Sequence, residues 1–319
     1  MKPERVRIVR RPVHGVLLLD KPQGVSSNAA LQKAKWLLRA EKAGHTGTLD
    51  PLATGLLPLC FGAATKFSQV SLDADKAYRA TLALGRTTST GDAEGEVLHE
   101  RAVQVTRDEV EAACRRFIGA ISQVPPMHSA LKHAGRALYD YARAGIEIER
   151  TPRRVRIHSI DVVAWAGDRV EIDVRCSKGT YIRTLAEDIG EALGCGAHLA
   201  ALRRTASGPL RVEAAVALDA LAALDEAGRD ALLLPADTLL ADWPAVRLGD
   251  DDAGRFLSGM RRRIDAADAK QVRVYGPRGE AFLGSAHIAG GELIASRLLS
   301  PPEVRALSHV AARNHIAAA

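Results

Sequence analysis

Residues 44–55 read GHTGTLDPLATG and carry a single carboxylate, Asp50, among turn formers, hydroxyl groups and apolar side chains. Glycine allows backbone conformations that are closed to other residues, and Pro51 fixes one torsion while removing a backbone donor. The sequence therefore predicts a rigid loop around this acid. An acid on a rigid apolar loop can serve as a nucleophile or a proton acceptor in a partly dry pocket. A helix N-cap or an Asx turn explains an aspartate before a proline equally well.

Longer matches surround this loop. Continued through Phe67, it resembles the active-site motif of the TruB-type tRNA pseudouridine synthases, in which the aspartate of a G-x-L-D-P core is catalytic. Three other segments resemble members of the same family, in the family's order: GVLLLDKPQGVSS (15–27), PPMHSALKHAGRAL (125–138) and CSKGTYIRTLAEDIGEALGCGAHLAALRR (176–204). Four ordered matches are rarely obtained by chance. The resemblance covers the whole of a catalytic domain.

The apolar periodicity predicts several elements. Strands and helices are mixed without regular alternation, which predicts an α+β fold, and the resemblance implies a mixed or antiparallel sheet. Alternating apolar residues predict strands over 78–84 and 170–176. A capping-box pattern predicts a helix from Thr106 to about Phe117, and a second helix should end at Gly194. Shorter strands are predicted near the C-terminus, at 272–275, 281–288 and 293–296.

A domain boundary is predicted near the sequence ADWP at residues 241–244, after which short strands separated by turns, one of them at 276–279, are typical of a small β-barrel. We therefore expect a catalytic domain over residues 1–242 and a second domain with a tail over residues 243–319. The resemblance implies that the second domain is a PUA-like RNA-binding module. It also implies a thumb-like RNA-binding insertion at about residues 124–150.

The composition of the 319-residue chain is that of a globular protein, with 47% hydrophobic and 26% charged residues. A formal charge of +6 favours a polyanionic partner such as RNA. The four cysteines are scattered and form no C-x-x-C pair, which predicts reduced thiols and a cytoplasmic protein without structural zinc. No apolar run approaches the roughly 20 residues of a membrane span, and no signal peptide is evident.

The resemblance assigns Asp50 as the catalytic residue and Arg183 as its ion-pair partner. A guanidinium beside a carboxylate favours the ionised acid. Without the family, a surface arginine that captures phosphate would be the commoner interpretation of Arg183, because a basic protein has many such arginines. Tyr78 is the aromatic residue that the family uses beside the flipped base, where stacking and a phenolic hydroxyl both help. As a strand residue it would otherwise belong to the core.

Four further residues receive roles from the resemblance. Tyr181 and Leu202 match positions that line the uracil pocket, and His45 matches the residue that stacks within the reorganised RNA loop. Lys21 matches the lysine of a lysine-proline pair, for which we expect a supporting role that braces the catalytic loop. A solvated turn lysine is the alternative.

The insertion is the predicted RNA-binding segment, because its cations can contact phosphate and its rings can stack on bases. His128 stands where the family leads us to expect tyrosine or a similar ring. The cations expected to contact RNA are Lys132, Arg136 and Arg143.

The implied reaction converts a uridine in the T-loop of tRNA, at position 55, to pseudouridine. The glycosidic bond breaks, the base rotates and a C–C bond forms without redox change, so no cofactor and no metal is required. The nucleotide must leave its stack to react. Whether Asp50 attacks the base, attacks the sugar, or removes a sugar proton to give a glycal is left open. The expected partner is the T stem-loop, without a membrane or an obligate protein partner, and the chain should be a monomer.

Other functions share these residues. One is a tRNA-binding folding helper, which opens and re-closes the tRNA elbow and for which catalysis is secondary. Another is a guide-RNA-dependent synthase that works inside a multi-protein particle. A nucleoside-cleaving hydrolase would need paired carboxylates, and the segment around Asp50 lacks them.

Overall fold

The computed structural model describes residues 9–277 and 281–317 of the chain. Within them the backbone forms nineteen strands. The strands are β1 (Gly15–Lys21), β2 (Ala43–His45), β3 (Thr54–Phe61), β4 (Lys76–Leu84), β5 (Arg86–Thr88), β6 (Val97–Glu100), β7 (Gly119–Gln123), β8 (Lys132–His133), β9 (Arg136–Ala137), β10 (Arg153–Ala166), β11 (Arg169–Cys176), β12 (Ala197–Ser207), β13 (Leu210–Arg211), β14 (Val216–Ala217), β15 (Ala245–Arg247), β16 (Arg262–Arg263), β17 (Ala269–Tyr275), β18 (Phe282–Ala289) and β19 (Glu292–Leu298).

The same residues form nine α-helices and three short 3₁₀ helices, the latter at Gly62–Phe67, Val212–Ala214 and Ala236–Leu240. None of the helices in the described part of the chain is long and apolar enough to cross a membrane. The α-helices are α1 (Ser27–Leu37), α2 (Ser68–Asp73), α3 (Arg107–Arg115), α4 (Leu138–Arg143), α5 (Ile182–Ala192), α6 (Leu218–Ala223), α7 (Glu226–Ala231), α8 (Asp250–Leu257) and α9 (Pro301–Ala317).

A ten-stranded sheet dominates the fold. Eight of its strands lie side by side in the order β14-β1-β3-β12-β4-β11-β10-β7, while β2 pairs with β3 and β13 pairs with β12. The pairs β1–β14 and β3–β12 are parallel, and the other pairs are antiparallel. The mixed sheet of an α+β fold is therefore confirmed. Both strands predicted in this part of the chain are present, as β4 and β11.

Two helices cover one face of this sheet. Helix α3 begins after Thr106, which forms the predicted capping box with Glu109. It ends two residues before Phe117, because the next backbone N–H groups bond to carbonyls three residues back rather than four. Helix α5 ends before Gly194, whose φ of +77° suits a helix C-terminus. The apolar side chains of both helices pack against β4, β10, β11 and β12.

A second sheet of five strands occupies the C-terminal part, in the order β15-β17-β18-β19-β16. It curls into a half-barrel around Phe256, Val274 and Leu293, which confirms the expected small barrel-like sheet. The three strands predicted there are present as β17, β18 and β19, while part of the predicted turn at 276–279 lies outside the described residues. The division into two domains at residue 242 stays a prediction.

Helix α9 was not predicted from the sequence. Its residues Leu307 and Val310 are buried in apolar clusters that also contain side chains of β1 and β3. The helix therefore connects the C-terminal part to the large sheet.

The four cysteines form no disulfide bond. Cys60, Cys114, Cys176 and Cys195 are all free and buried.

Candidate active site

A cavity of about 390 Å³ opens beside the loop that connects β2 to β3. Its walls come from this loop, from β4 and β12, from the start of α5 and from the base of the predicted insertion. The volume lies in the range of small-molecule sites. The lining contains five residues that the sequence analysis singled out: Asp50, Tyr78, Tyr181, Arg183 and Leu202.

Asp50 lies on a loop that is braced on both sides. The hydroxyl of Ser27 accepts a hydrogen bond from the backbone N–H of Leu49 at 2.7 Å and donates to its carbonyl at 3.0 Å. The N–H of Gly24 donates to the carbonyl of Pro51 at 2.8 Å. The carboxylate itself is 41% exposed. The loop is thus fixed while the acid remains open to a molecule in the cavity.

Arg183 forms an ion pair with Asp50, and both residues line the cavity. Its Nη2 lies 2.9 Å from Oδ2 of Asp50 and donates to the carbonyl of His128 at 2.6 Å. Its Nη1 donates to the carbonyl of Thr90 at 3.1 Å, and its Nε lies 3.6 Å from Oδ2 of Asp92. Only 6% of the arginine side chain is exposed. The ion pair that the resemblance implied is present, and four acceptors fix the orientation of the guanidinium.

Asp92 is a site residue that the sequence analysis missed. Its carboxylate is buried and accepts hydrogen bonds from the hydroxyl of Thr90 at 2.6 Å and from the N–H of Glu94 at 3.1 Å. The segment TTSTGDAEGE contains a turn signal at this position, and an aspartate in such a turn usually faces solvent. Here it supplies Arg183 with a second, buried counter-ion.

Tyr78, Tyr181 and Leu202 surround the space above Asp50. Burial raises the pKa of both phenols, so both hydroxyls are protonated at neutral pH. Gln123 fixes the backbone of Tyr181, because its side chain accepts from the tyrosine N–H at 3.0 Å and donates to the carbonyl at 3.2 Å. Leu202 pairs with Ala80 on the neighbouring strand. The cavity therefore offers apolar surface and protonated hydroxyls beside one carboxylate.

Two buried cations in the cavity lining were also missed. Lys76 donates to three carbonyls at the end of α2 over 2.6–2.9 Å, and burial lowers the pKa of its amine to about 8. Arg204, on β12, is 1% exposed. Lysine and arginine are almost never fully buried, so no residue pattern would have singled them out.

Lys21 and His45 lie outside the lining of the cavity. Lys21 is fully buried, and its amine donates to the carbonyls of Pro22 and Val25 at 2.9 and 2.6 Å. The alternative interpretation of Lys21 as a solvated turn lysine is therefore wrong. The lysine stabilises the turn whose Gly24 bonds to the Asp50 loop, so its contact with that loop is indirect. Burial lowers the pKa of His45, which keeps this imidazole neutral at pH 7.

The predicted insertion forms a hairpin of β8 and β9 followed by α4. The guanidinium of Arg136 lies 4.9 Å from the ring centre of Tyr141, and that of Arg143 lies 5.4 Å from the ring centre of Tyr139. Lys132 is exposed. The insertion thus presents cations and aromatic rings together, while its first residues reach the cavity.

Models of three protein-family domains match consecutive parts of the chain. The TruB family pseudouridylate synthase N-terminal domain matches residues 35–182, the tRNA pseudouridylate synthase B C-terminal domain matches 183–241, and the C-terminal domain of pseudouridine synthase II TruB matches 244–299. A relative named tRNA pseudouridine synthase B from Verminephrobacter eiseniae is 61% identical and covers 94% of this chain and 93% of its own length. A relative of the same name from Thiobacillus denitrificans is 58% identical, covering 94% and 99%.

Solved structures share the fold. This chain matches a protein chain in a crystal structure of a Cbf5-Nop10-Gar1 complex with a TM-score of 0.71 and 26% sequence identity. The match covers 91% of this chain and 86% of the other. This chain matches another, in an archaeal box H/ACA sRNP Nop10-Cbf5 complex, with a TM-score of 0.68 and 24% identity, covering 91% and 87%.

Fold, site and sequence matches together define a pseudouridylate synthase, which is an isomerase. In this chain an aspartate paired with a buried arginine lies beside an open cavity. The chain belongs to the TruB family of pseudouridylate synthases.

Proposed function

We propose that this enzyme converts uridine to pseudouridine in tRNA, at position 55 of the T-loop, with Asp50 as the catalytic group. The observation that carries the proposal is the ion pair of Asp50 and Arg183 at the wall of an open cavity. Relatives that match nearly the whole chain are named tRNA pseudouridine synthase B, which supports tRNA as the substrate.

In this reaction the bond between N1 and C1′ breaks, the base rotates and C5 bonds to C1′. One proton leaves C5 and one is gained at N1, so the atoms of substrate and product balance. Arg183 engages Oδ2 of Asp50, which leaves Oδ1 for the substrate. Attack on the base, attack on the sugar and removal of a sugar proton can all use this same carboxylate oxygen.

The other cavity residues hold the flipped nucleotide. A base taken out of its stack needs an apolar or aromatic surface and hydrogen bonds to its edges. Tyr78, Tyr181 and Leu202 provide that surface, and the two protonated phenols provide donors. The detached uracil therefore stays in the cavity while it rotates.

We further infer that the insertion binds the RNA stem-loop through Lys132, Arg136 and Arg143, and that His45 stacks within the loop. In this proposal residues 1–242 form the catalytic domain, and residues 243–319 form a PUA-like domain that adds contacts to the RNA backbone. The enzyme acts as a cytoplasmic monomer that needs no protein partner.

Tritium release tests the function directly, because C5 loses its hydrogen when it becomes the new attachment point. The purified chain, incubated with unmodified tRNA labelled at uracil C5, should release one tritium per tRNA molecule, from position 55. A transcript with cytidine at position 55 should release none above background. Tight tRNA binding without release would contradict the proposal and favour the folding helper or the guide-dependent enzyme.

A variant of the insertion tests its contact with RNA. The double variant Lys132→Gln/Arg136→Gln should weaken tRNA binding about tenfold. It should also reduce the slope of log Kd against log salt by about 1 to 2, because binding with fewer phosphate contacts releases fewer counterions. Filter binding between low and moderate salt measures both quantities. The matched control is Arg115→Gln, an exposed arginine of α3 paired with Glu111, which should change neither. An unchanged slope in the double variant would contradict the contact.

A further inference from the structure

Arg204 lines the cavity at the point where three strands meet. On β12 it pairs with Gly55 of β3 on one side and with Tyr78 of β4 on the other. Gly55 has a φ of +99°, and a Cβ there would lie 2.3 Å from the carbonyl oxygen of Arg204. Only glycine allows the two strands to approach this closely. The register therefore places Arg204 beside both the Asp50 loop and the phenol of Tyr78.

The guanidinium bonds to the chain on both sides of Asp50. Its Nε donates to the carbonyl of Leu56 at 2.6 Å, and its Nη2 donates to the carbonyl of Gly47 at 3.3 Å. The hydroxyl of Tyr78, the cross-strand partner of Arg204 on β4, faces the same guanidinium. One side chain thus holds both ends of the loop that presents Asp50, together with a phenol that lines the same cavity.

Arg204 is buried without a counter-ion. Its side chain is 1% exposed, and none of the ion pairs in the described ranges 9–277 and 281–317 includes it. The preceding residue, Arg203, faces the opposite side of the sheet, pairs with Asp20 at 2.7 Å and is 41% exposed. Removing an unpaired cation from water costs free energy, and an apolar side chain would fill the same space without that cost. Packing alone does not explain an arginine here.

We propose that Arg204 is a positioning residue for the isomerisation: its guanidinium fixes the Asp50 loop and the Tyr78 hydroxyl relative to each other across the cavity. This rests on the function proposed above, because both groups must face the flipped nucleotide. A misplacement of reacting groups by about 1 Å costs on the order of 100-fold in rate. A planar fork with five donors suits the task, since several bonds together fix its orientation.

The same contact directs the phenol. The charged and titratable groups that face Tyr78 are Arg204, Cys176 and Asp50. Burial raises the pKa of Tyr78 and Arg204 opposes this change, while the hydroxyl remains protonated. Because a guanidinium has donors and no acceptor, the phenolic proton is left for an acceptor on the substrate.

A double-mutant cycle tests the proposal. Single-turnover tritium release and tRNA affinity are measured for wild type, Arg204→Lys, Tyr78→Phe and the double variant. Arg204→Lys keeps the charge and loses the fork, and should slow release on the order of 100-fold with Kd changed less than twofold. The double variant should be at most about threefold slower than the slower single variant, because both changes remove the same contact. The matched control, Arg203→Lys, should stay within about twofold of wild type.

Wild-type rates in Arg204→Lys would overturn the proposal, and so would losses that multiply in the double variant, as a purely structural role gives. Thermal unfolding of each variant shows whether it folds. If Arg204→Lys does not fold, Arg204→Gln replaces it, and failure of both to fold shows a structural role and overturns the proposal. Absence of release by wild type would instead contradict the proposed function, so the two failures are distinguishable.

Discussion

Asp50→Asn should abolish tritium release, lowering the single-turnover rate by about 10⁴-fold or more, as loss of a catalytic nucleophile or base does. Asparagine has the shape of aspartate but is neither a nucleophile nor a proton acceptor at neutral pH. Its amide oxygen can still accept from Arg183, and Asp92 still balances the buried guanidinium. The variant should therefore fold and bind tRNA with a Kd within about threefold of wild type.

Asp20→Asn is the matched control for this experiment. Asp20 pairs with Arg203 on the opposite face of the sheet, where both side chains are partly exposed. Its loss should leave the rate within about twofold of wild type, since such exposed pairs contribute little. Release by Asp50→Asn within about tenfold of wild type would remove Asp50 from the chemistry. Loss of tRNA binding in the same variant would make Asp50 a binding residue instead.

Arg183→Lys should slow release on the order of 100- to 1000-fold although the positive charge is kept. The guanidinium reaches acceptors in three directions at once: Asp50, the carbonyls of Thr90 and His128, and Asp92. An ammonium group donates from a single atom and cannot span them. Single-turnover release measures the loss, and filter binding separates it from any change in affinity.

Arg79→Lys is the control for Arg183→Lys. Arg79 also donates from two nitrogens to one carboxylate, that of Asp173, at 2.9 and 2.8 Å. Its side chain, however, is 49% exposed. We expect its substitution to change the rate less than twofold. Equal activity of Arg183→Lys and wild type would mean that charge alone suffices at this position.

The sequence was sufficient to identify several of the groups that face the cavity. Asp50, Tyr78 and Arg183 lie far apart in the chain, and the family resemblance predicts that they share one site. Local signals were also reliable where one short segment decides the outcome, as in the capping box at Thr106. Such signals depend on residues within a few positions of one another, so periodicity and spacing express them.

The buried charged groups of the site could not be predicted in the same way. Arg204 and Asp92 owe their roles to burial and to strand register, which arise from pairing between distant segments. A single sequence gives no sign that a particular arginine is buried, because most arginines are exposed. Helix α9 was missed for a similar reason, since Leu307 and Val310 are stabilised by tertiary packing rather than by a strong local signal.

The buried thiols have a practical consequence for following the insertion in solution. Burial raises the pKa of Cys60 to about 12 and those of Cys114 and Cys176 to about 11, so these thiols hold their protons at neutral pH. Maleimide dyes react with the exposed thiolate. One cysteine added at the exposed Ala144 can therefore carry a fluorophore while the native cysteines stay in place. Binding of RNA to the insertion, as proposed above, can then be followed as a change in emission from one labelled site.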